Sequence, residues 1–355
     1  MTVTPITSDE FAAWRTPRFG EANPTRLDNP LWASLVHDPI NAYLVTKRYG
    51  YERVFGAGPT WCFDRFGQSK TVLADGRTIY IAGEHEDYYD PDFYIYNDVV
   101  IVMPSGEVEI YGYPRDVFPP TDFHSATVFG DAIVLVGSLG YHDERAVGTT
   151  PVYKLALATK AIERIFPTGD SPGWIHSHTA TLAGTKLLVT GGKVQGTDSL
   201  EENIDDWELE LATMQWTRKT KRDWQRFSLD APEGTRSRMF EIRQLLWGLE
   251  HPDFKGSVDY RAKLLEDLGR EPDLDVLRTL YLVDDTTRLL AKDDDEYNVY
   301  RFEVDGLVVR FVEDSYRVTA LVEGRLAESR LADVQAHVQG ALSELHNNLW
   351  QLRTI

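Results

Sequence analysis

Along residues 66–220 the apolar positions recur in short runs that end on glycine. The runs are "RTIYIAG", "AIVLVG" and "KLLVTG", and they end on Gly83, Gly137 and Gly191 at a 54-residue step. Met103, Leu157 and Leu211 follow at the same step. His124 and His178 precede the second and third runs, with Gln68 as their counterpart in the first. Each copy predicts four short strands, with the run to glycine as a buried inner strand because it is apolar on both faces. A variable loop follows the second strand: "EHEDYYDPDFYIYND", "SLGYHDERAVGTT" and "GKVQGTDSLEENID". The first copy carries a longer turn, "LADGRT", between its first two strands.

Four strands per unit at a period near 50 residues is the signature of propeller blades. The His-Ser before strand one, the glycine after strand two and the spaced aromatics beyond it resemble kelch repeats over residues 60–220. The likeness is degenerate. Only Gly191-Gly192 keeps a double glycine, and only Trp216 keeps a tryptophan in strand four. The resemblance implies a β-propeller fold and, most often, a protein-binding role. Three blades do not close a ring, so both ends of the array need a cover.

The pattern changes on either side. Residues 1–59 alternate turn signals with short helical stretches such as "DEFAAW" and "PLWASLVH", and are expected to cap the array. Residues 221–355 predict an α+β domain. Its helices lie in "SRMFEIRQLLWGLEH" and "SVDYRAKLLEDLG"; "TLYLVDD" reads as a strand. Three antiparallel strands follow in "YNVYRFEVDGLVVRFVEDSYRVTALVEGRL", then an amphipathic helix from Ala327 to about Trp350. The fold class is therefore mainly β, three kelch-like four-stranded blades with a C-terminal α+β domain. Capping by the flanks of one chain is expected over closure by a homodimer.

Charge narrows the partners. The net charge is −19, and residues 61–218 carry 24 acids against 11 bases. Such a surface repels nucleic acid and steers cationic partners toward it. Cys62 is the only cysteine, which excludes an intramolecular disulfide. No long apolar run and no signal-like start is present, so no membrane span and a cytoplasmic address are expected.

The loop after the first inner strand concentrates acids and tyrosines. Glu84, His85, Glu86, Asp87, Tyr88, Tyr89 and Asp90 are the binding candidates, with His176 from "GWIHSHTA". His85 is expected in solvent. His124 and His178 are expected to bond neighbouring backbone or hydroxyl groups. The favoured function is an acidic protein-binding module without cofactor, for a basic partner, of the kind that could neutralise a toxin. The alternative is an enzyme in which His124, His176 and His178 hold a divalent transition metal such as Fe(II), Mn(II) or Zn(II).

Overall fold

In the computed structural model the described residues are 6–49, 58–85, 92–197, 200–253, 255–256, 258–291 and 298–354. The chain divides into two compact units, Met1–Lys221 and Arg222–Ile355. Both are built on antiparallel sheets, with helices at the margins of the first and packed on the sheet of the second.

The first unit holds three four-stranded meanders in which neighbours in sequence pair. The first uses Ser69–Val72, Thr78–Ile81, Val99–Val102 and Val108–Gly112. The second uses Ser125–Phe129, Ala132–Val136, Val152–Ala156 and Ile162–Ile165. The third uses Thr179–Ala183, Lys186–Thr190, Trp207–Glu210 and Gln215–Arg218. Two sheets gain a short fifth strand from outside the copy. Thr25–Arg26 pairs with Val108–Gly112, and Thr168–Gly169 runs parallel to Gln215–Arg218. The first strand of the middle meander lies beside the first strands of both others.

Residues opposite one another on antiparallel strands share a face, so pairing defines which positions correspond. Ser69 pairs with Ile81, Ser125 with Val136 and Thr179 with Thr190. Gly137 and Gly191 therefore correspond, but the first copy has Ala82 at that place. Gly83 falls one position later, at the place of Ser138 and Gly192. This corrects the expected equivalence of Gly83 with Gly137 and Gly191. The longer first turn places one more residue between the paired positions, which shifts the glycine. Ala82 keeps the left-handed backbone of the site, with φ 54°, against 79° at Gly137 and 61° at Gly191.

With that register the packing is regular. One face of the first meander (Ile79, Ile81, Val99, Ile101) buries against Ile133, Leu135, Tyr153 and Leu155 of the second. The other face of the second (Val134, Val136, Val152) buries against Leu187, Val189, Trp207 and Leu209 of the third. Two faces remain, one at each end. On the first meander, Tyr80, Val100, Val108 and Ile110 are covered by the helices Ser8–Trp14, Pro30–His37 and Ala42–Arg48, through Phe11, Leu31, Trp32, Leu35 and Val45. Trp32 stacks on Trp61 at 5.0 Å between ring centroids. These helices start on side-chain caps from Thr7, Asn29 and Asn41, which fix where the chain turns toward the sheet.

The far face of the third meander is finished differently. Leu188 occupies the position of Ile79 and Val134 and is 39% exposed, where those are 1% exposed. Its cross-strand neighbours are Thr181 and Glu208. Glu208 is bracketed by Lys186 at 2.8 Å and Lys219 at 3.5 Å. The row Leu188–Glu208 has Val134–Lys154 as its counterpart in the second copy, so what marks the outer face is the exposure of Leu188 and Thr190 in the place of Ile81 and Val136, a finish of the kind terminal repeats of an array carry.

The second unit is one six-stranded antiparallel sheet, in the order Arg288–Leu289, Val299–Val304, Leu307–Glu313, Arg317–Val322, Gln225–Asp230, Gln351–Thr354. Helices Met239–Glu250, Arg261–Leu268, Leu274–Thr279 and Glu328–His346 supply Ile242, Leu264, Leu277, Val334, Val338 and Leu342 to its core. "TLYLVDD", expected as a strand, is instead the end of the helix Leu274–Thr279 and the turn after it. Leu277, Leu280 and Tyr281 recur at helical spacing and are buried on one side, which outweighs local strand propensity. The last helix stops at His346 because Asn347 takes a left-handed conformation, φ 49°. That frees Gln351–Thr354 to join the sheet.

The register generates a test. A Cβ at Gly137 would lie 2.3 Å from the Ile175 carbonyl oxygen of the next meander, whereas one at Gly191, which has no following meander, meets nothing within 4 Å. Both changes carry the left-handed strain of about 1–2 kcal/mol. Gly137→Ala should therefore destabilise the first unit by roughly 2 kcal/mol more than Gly191→Ala, read from urea unfolding. Equal effects would contradict the correspondence of the two sites and the stacking of the second meander on the third.

Candidate functional site

The loops after each second strand and the segments before each first strand meet at one end of the meanders, and most of the buried polar side chains of the first unit gather there. His124 Nε2 lies 2.8 Å from Ser69 Oγ, and His178 Nε2 lies 2.9 Å from Ser125 Oγ. Each histidine thus reaches back to the first strand of the preceding meander, in the same way at a 54-residue interval. Burial, with His178 adding to it, lowers the His124 pKa from 6.5 to about 3, and burial lowers that of His178 to about 4. Both are neutral at pH 7, and each bond ties two sheets together.

A second network anchors the start of the array. Asp98 accepts the Trp61 indole N–H at 2.9 Å and both terminal nitrogens of Arg65 at 2.6 and 3.0 Å. The Arg65 guanidinium lies 3.3 Å from the centre of the Tyr96 ring. The Tyr96 hydroxyl contacts Cys62 N–H at 3.1 Å and His85 Nδ1 at 2.8 Å. His85 is consequently buried, 4% exposed, and not in solvent as expected. Its acidic neighbours suggested solvent, but the two-residue strand Glu84–His85 pairs with Tyr94–Ile95 and the imidazole meets the Tyr96 hydroxyl.

Between these networks lies the most chemically loaded cluster. Asp122 is wholly buried and accepts the Gly140 N–H at 2.6 Å and the Ser138 hydroxyl at 3.4 Å. Glu84 hydrogen-bonds the same carboxyl group. Burial raises the Asp122 pKa against the opposing pull of Gly140, Glu84, Ser138 and Arg145. Arg145 donates to the Leu139 carbonyl at 2.9 Å and to Gln195 Oε1 at 3.3 Å, and burial lowers its pKa while Asp122 opposes that. His176 is 5% exposed; its Nδ1 lies 3.0 Å from Ser177 Oγ, and its Nε2 has no partner. Burial, then Lys193, Arg145 and His178, lower its pKa to about 4.

Of the sequence candidates, the fold brings Glu84, His85 and His176 to this end. Glu86, Asp87, Tyr88, Tyr89 and Asp90 lie outside the described residues. His124 and His178 are each committed to a different serine and do not converge with His176 as a ligand set. Among the described residues no group of three or more His, Cys, Asp or Glu side chains is arranged to hold a metal ion. No helix among them is long and apolar enough to cross a membrane. Asp122 and Arg145 were not singled out from sequence. Their signal was weak: Asp122 precedes the repeated His-Ser, and Arg145 is the only base in the acidic loop of the second copy.

The buried imidazoles set a pH dependence. Their folded-state pKa values lie below the unfolded value, so the unfolded chain binds more protons between pH 6.5 and about 4. The stability they contribute is complete above pH 6.5 and is lost as pH falls through that window. His124→Gln/His178→Gln, which installs the residue type of Gln68, should show a shallower fall of urea midpoint over this range than the parent. Parallel curves would show that the histidines are not buried in neutral form.

No family model and no curated protein matches the chain. A solved structure titled "Structure of YjhT" is similar at a TM-score of 0.31 and 15% identity, over 49% of this chain and 55% of that one. The chain thus spans about half the length of that protein.

Proposed function

We propose that the first unit is a kelch-like array of three propeller-type blades, completed at its ends by its own residues, and that its loop end binds a basic protein partner. Three things support the propeller reading: the neighbouring first strands, the face-to-face packing in one direction, and the repeated His-to-Ser bond. The N-terminal helices cover one terminal face and the polar third meander finishes the other. The loop end is left as the surface on which the side chains are not accounted for by packing between sheets.

The observation that carries the binding reading is charge. Residues 61–218 hold 24 acids against 11 bases, and Glu86, Asp87, Asp90 and Asp92 follow in sequence on Glu84, which hydrogen-bonds Asp122. Charge of one sign around a binding surface accelerates encounter with the opposite sign. Neutralisation of a cationic toxin is one role such a protein serves. The enzyme alternative has no comparable support, because its three histidines are separately engaged.

The test uses the parent chain and Glu86→Lys/Asp87→Lys as paired baits in native lysate, followed by rate measurements on what is retained. A basic protein held by the parent should associate at least about tenfold more slowly with the variant at low salt, and the difference should shrink as salt screens it. Thermal stability should stay within about 0.5 kcal/mol, as for exposed charges. Equal association by the two baits, or retention of no basic protein, would contradict the reading.

A further inference from the structure

The three meanders do not treat their outer edges alike. On the first, Thr25–Arg26 pairs antiparallel with Gly112 and Tyr111, and the Leu27 N–H extends that ladder to the Ile110 carbonyl at 2.8 Å. The third gains Thr168–Gly169 beside Gln215 and Trp216. The second has no fifth strand among the described residues, and Ile162–Ile165 is its outer strand. Arg164 is the counterpart of Ile110, because Tyr153 and Val100, which they face, hold matching places. Phe166 then corresponds to Gly112. The positions that Thr25–Leu27 covers on the first meander are thus left open on the second.

Side chains already fill the earlier half of this edge. The Ile162 N–H donates to Asn23 Oδ1, and the Ile162 carbonyl accepts from Asn23 Nδ2, both at 2.8 Å. The Lys160 carbonyl accepts from the Tyr113 hydroxyl at 2.7 Å. Asn23 makes the two-bond pair that a residue of an added strand makes, and it shows that the Ile162 backbone points outward. Outward groups alternate along a strand, so those of Arg164 and Phe166 point the same way. They have no hydrogen-bond partner among the described residues. Phe166 is 75% exposed, with the Arg164 guanidinium 5.0 Å from its ring centre. Pro167 favours an extended Phe166, which keeps the edge straight.

Charge selects the occupant. On the first meander Arg26 lies opposite Tyr111 and reaches Glu109 at 3.1 Å. Glu163 is the counterpart of Glu109; it is exposed and has no ion pair among the described residues. A residue added opposite Ile165 shares a face with Ile165 and Glu163, as Arg26 does with Tyr111 and Glu109. Ile165 and Trp216 help to line a cavity of about 230 Å³, which has room for the aliphatic stem of a long basic side chain. We infer that the edge at Arg164–Phe166 binds an extended basic segment of a partner protein by antiparallel strand addition, with a lysine or arginine opposite Ile165 paired to Glu163. Main-chain bonds supply the affinity, and Glu163 supplies the preference for positive charge. The inference rests on the register of the repeat and is independent of the loop-end reading.

Selective ¹⁵N-phenylalanine labelling of the full chain gives fifteen amide signals, and Phe166→Leu identifies that of Phe166. The probes are the capped peptide Val-Thr-Arg-Leu-Thr, which repeats the Thr25–Leu27 sequence, and its analogue with Glu in place of Arg. The Phe166 amide should move and saturate with the basic peptide, which should bind at least about fivefold more tightly than the acidic one. Glu163→Lys, an exposed change, should reverse that preference. Arg164→Pro removes an outward N–H and no ladder bond, so it should weaken the basic peptide by about fivefold or more. Thermal unfolding checks that this variant is folded, and Glu163→Lys carries the test if it is not. Four results would overturn the inference: no saturable movement of the Phe166 amide up to roughly 5 mM peptide, past weak-ligand affinities; movement of other phenylalanine amides with Phe166 still; a preference that Glu163→Lys leaves unchanged; or movement of Phe166 with protein concentration alone, which would assign the edge to a second copy of the chain.

Discussion

A β-sheet that is apolar on both faces cannot stand alone, and that constraint organises the first unit. Each meander offers two faces, and burial of one on the next leaves two faces over, however many copies are stacked. The strands Ala132–Val136 and Thr78–Ile81 are buried or half-buried on both sides, so the array could not end at either of them. The chain solves the two ends by different means. At the first end it adds surface, three helices whose Trp32, Leu31 and Leu35 fill the place of a preceding sheet. At the last end it changes the sheet itself, leaving Leu188 exposed and setting Thr190 where the earlier copies carry Ile81 and Val136. The polar groups at the loop end then hold the stacked sheets in register through His124, His178 and the Asp98–Arg65 pair.

The same constraint separates packing histidines from others. His124 and His178 recur with the repeat and each spans two sheets. His176 and Asp122 do not recur as residue types in the repeat. Glu84 adds a second carboxyl and Arg145 a partly desolvated cation beside them.

Much of this was legible in the sequence because repetition multiplies a weak signal. The 54-residue step located the inner strands, and it holds for every paired strand of the second and third copies: Ser125 and Thr179, Val136 and Thr190. It failed in the first copy, where a longer turn displaced Gly83, because spacing counts residues and pairing counts hydrogen bonds. His85 was misjudged for a related reason. Acidic neighbours suggested solvent, but a two-residue strand turned it onto Tyr96. In the second unit the short strands Gln225–Asp230 and Gln351–Thr354 were missed. They pair with each other across more than 120 positions of sequence, and no local pattern announces such a contact. The Asp122–Glu84 pair was hidden likewise, since the two residues belong to different copies.

The central claim is that the array is finished by its own residues, and the last sheet's polar face is its least conventional part. Sedimentation equilibrium of Thr190→Val/Glu208→Val against the parent chain tests it most directly, since the change gives this face the aliphatic pair that the first copy carries as Ile81 and Ile101. The parent should sediment as a single 40.4 kDa species, and the variant should self-associate with rising concentration. A parent that already associates through this face, with the variant no different from it, would contradict the account.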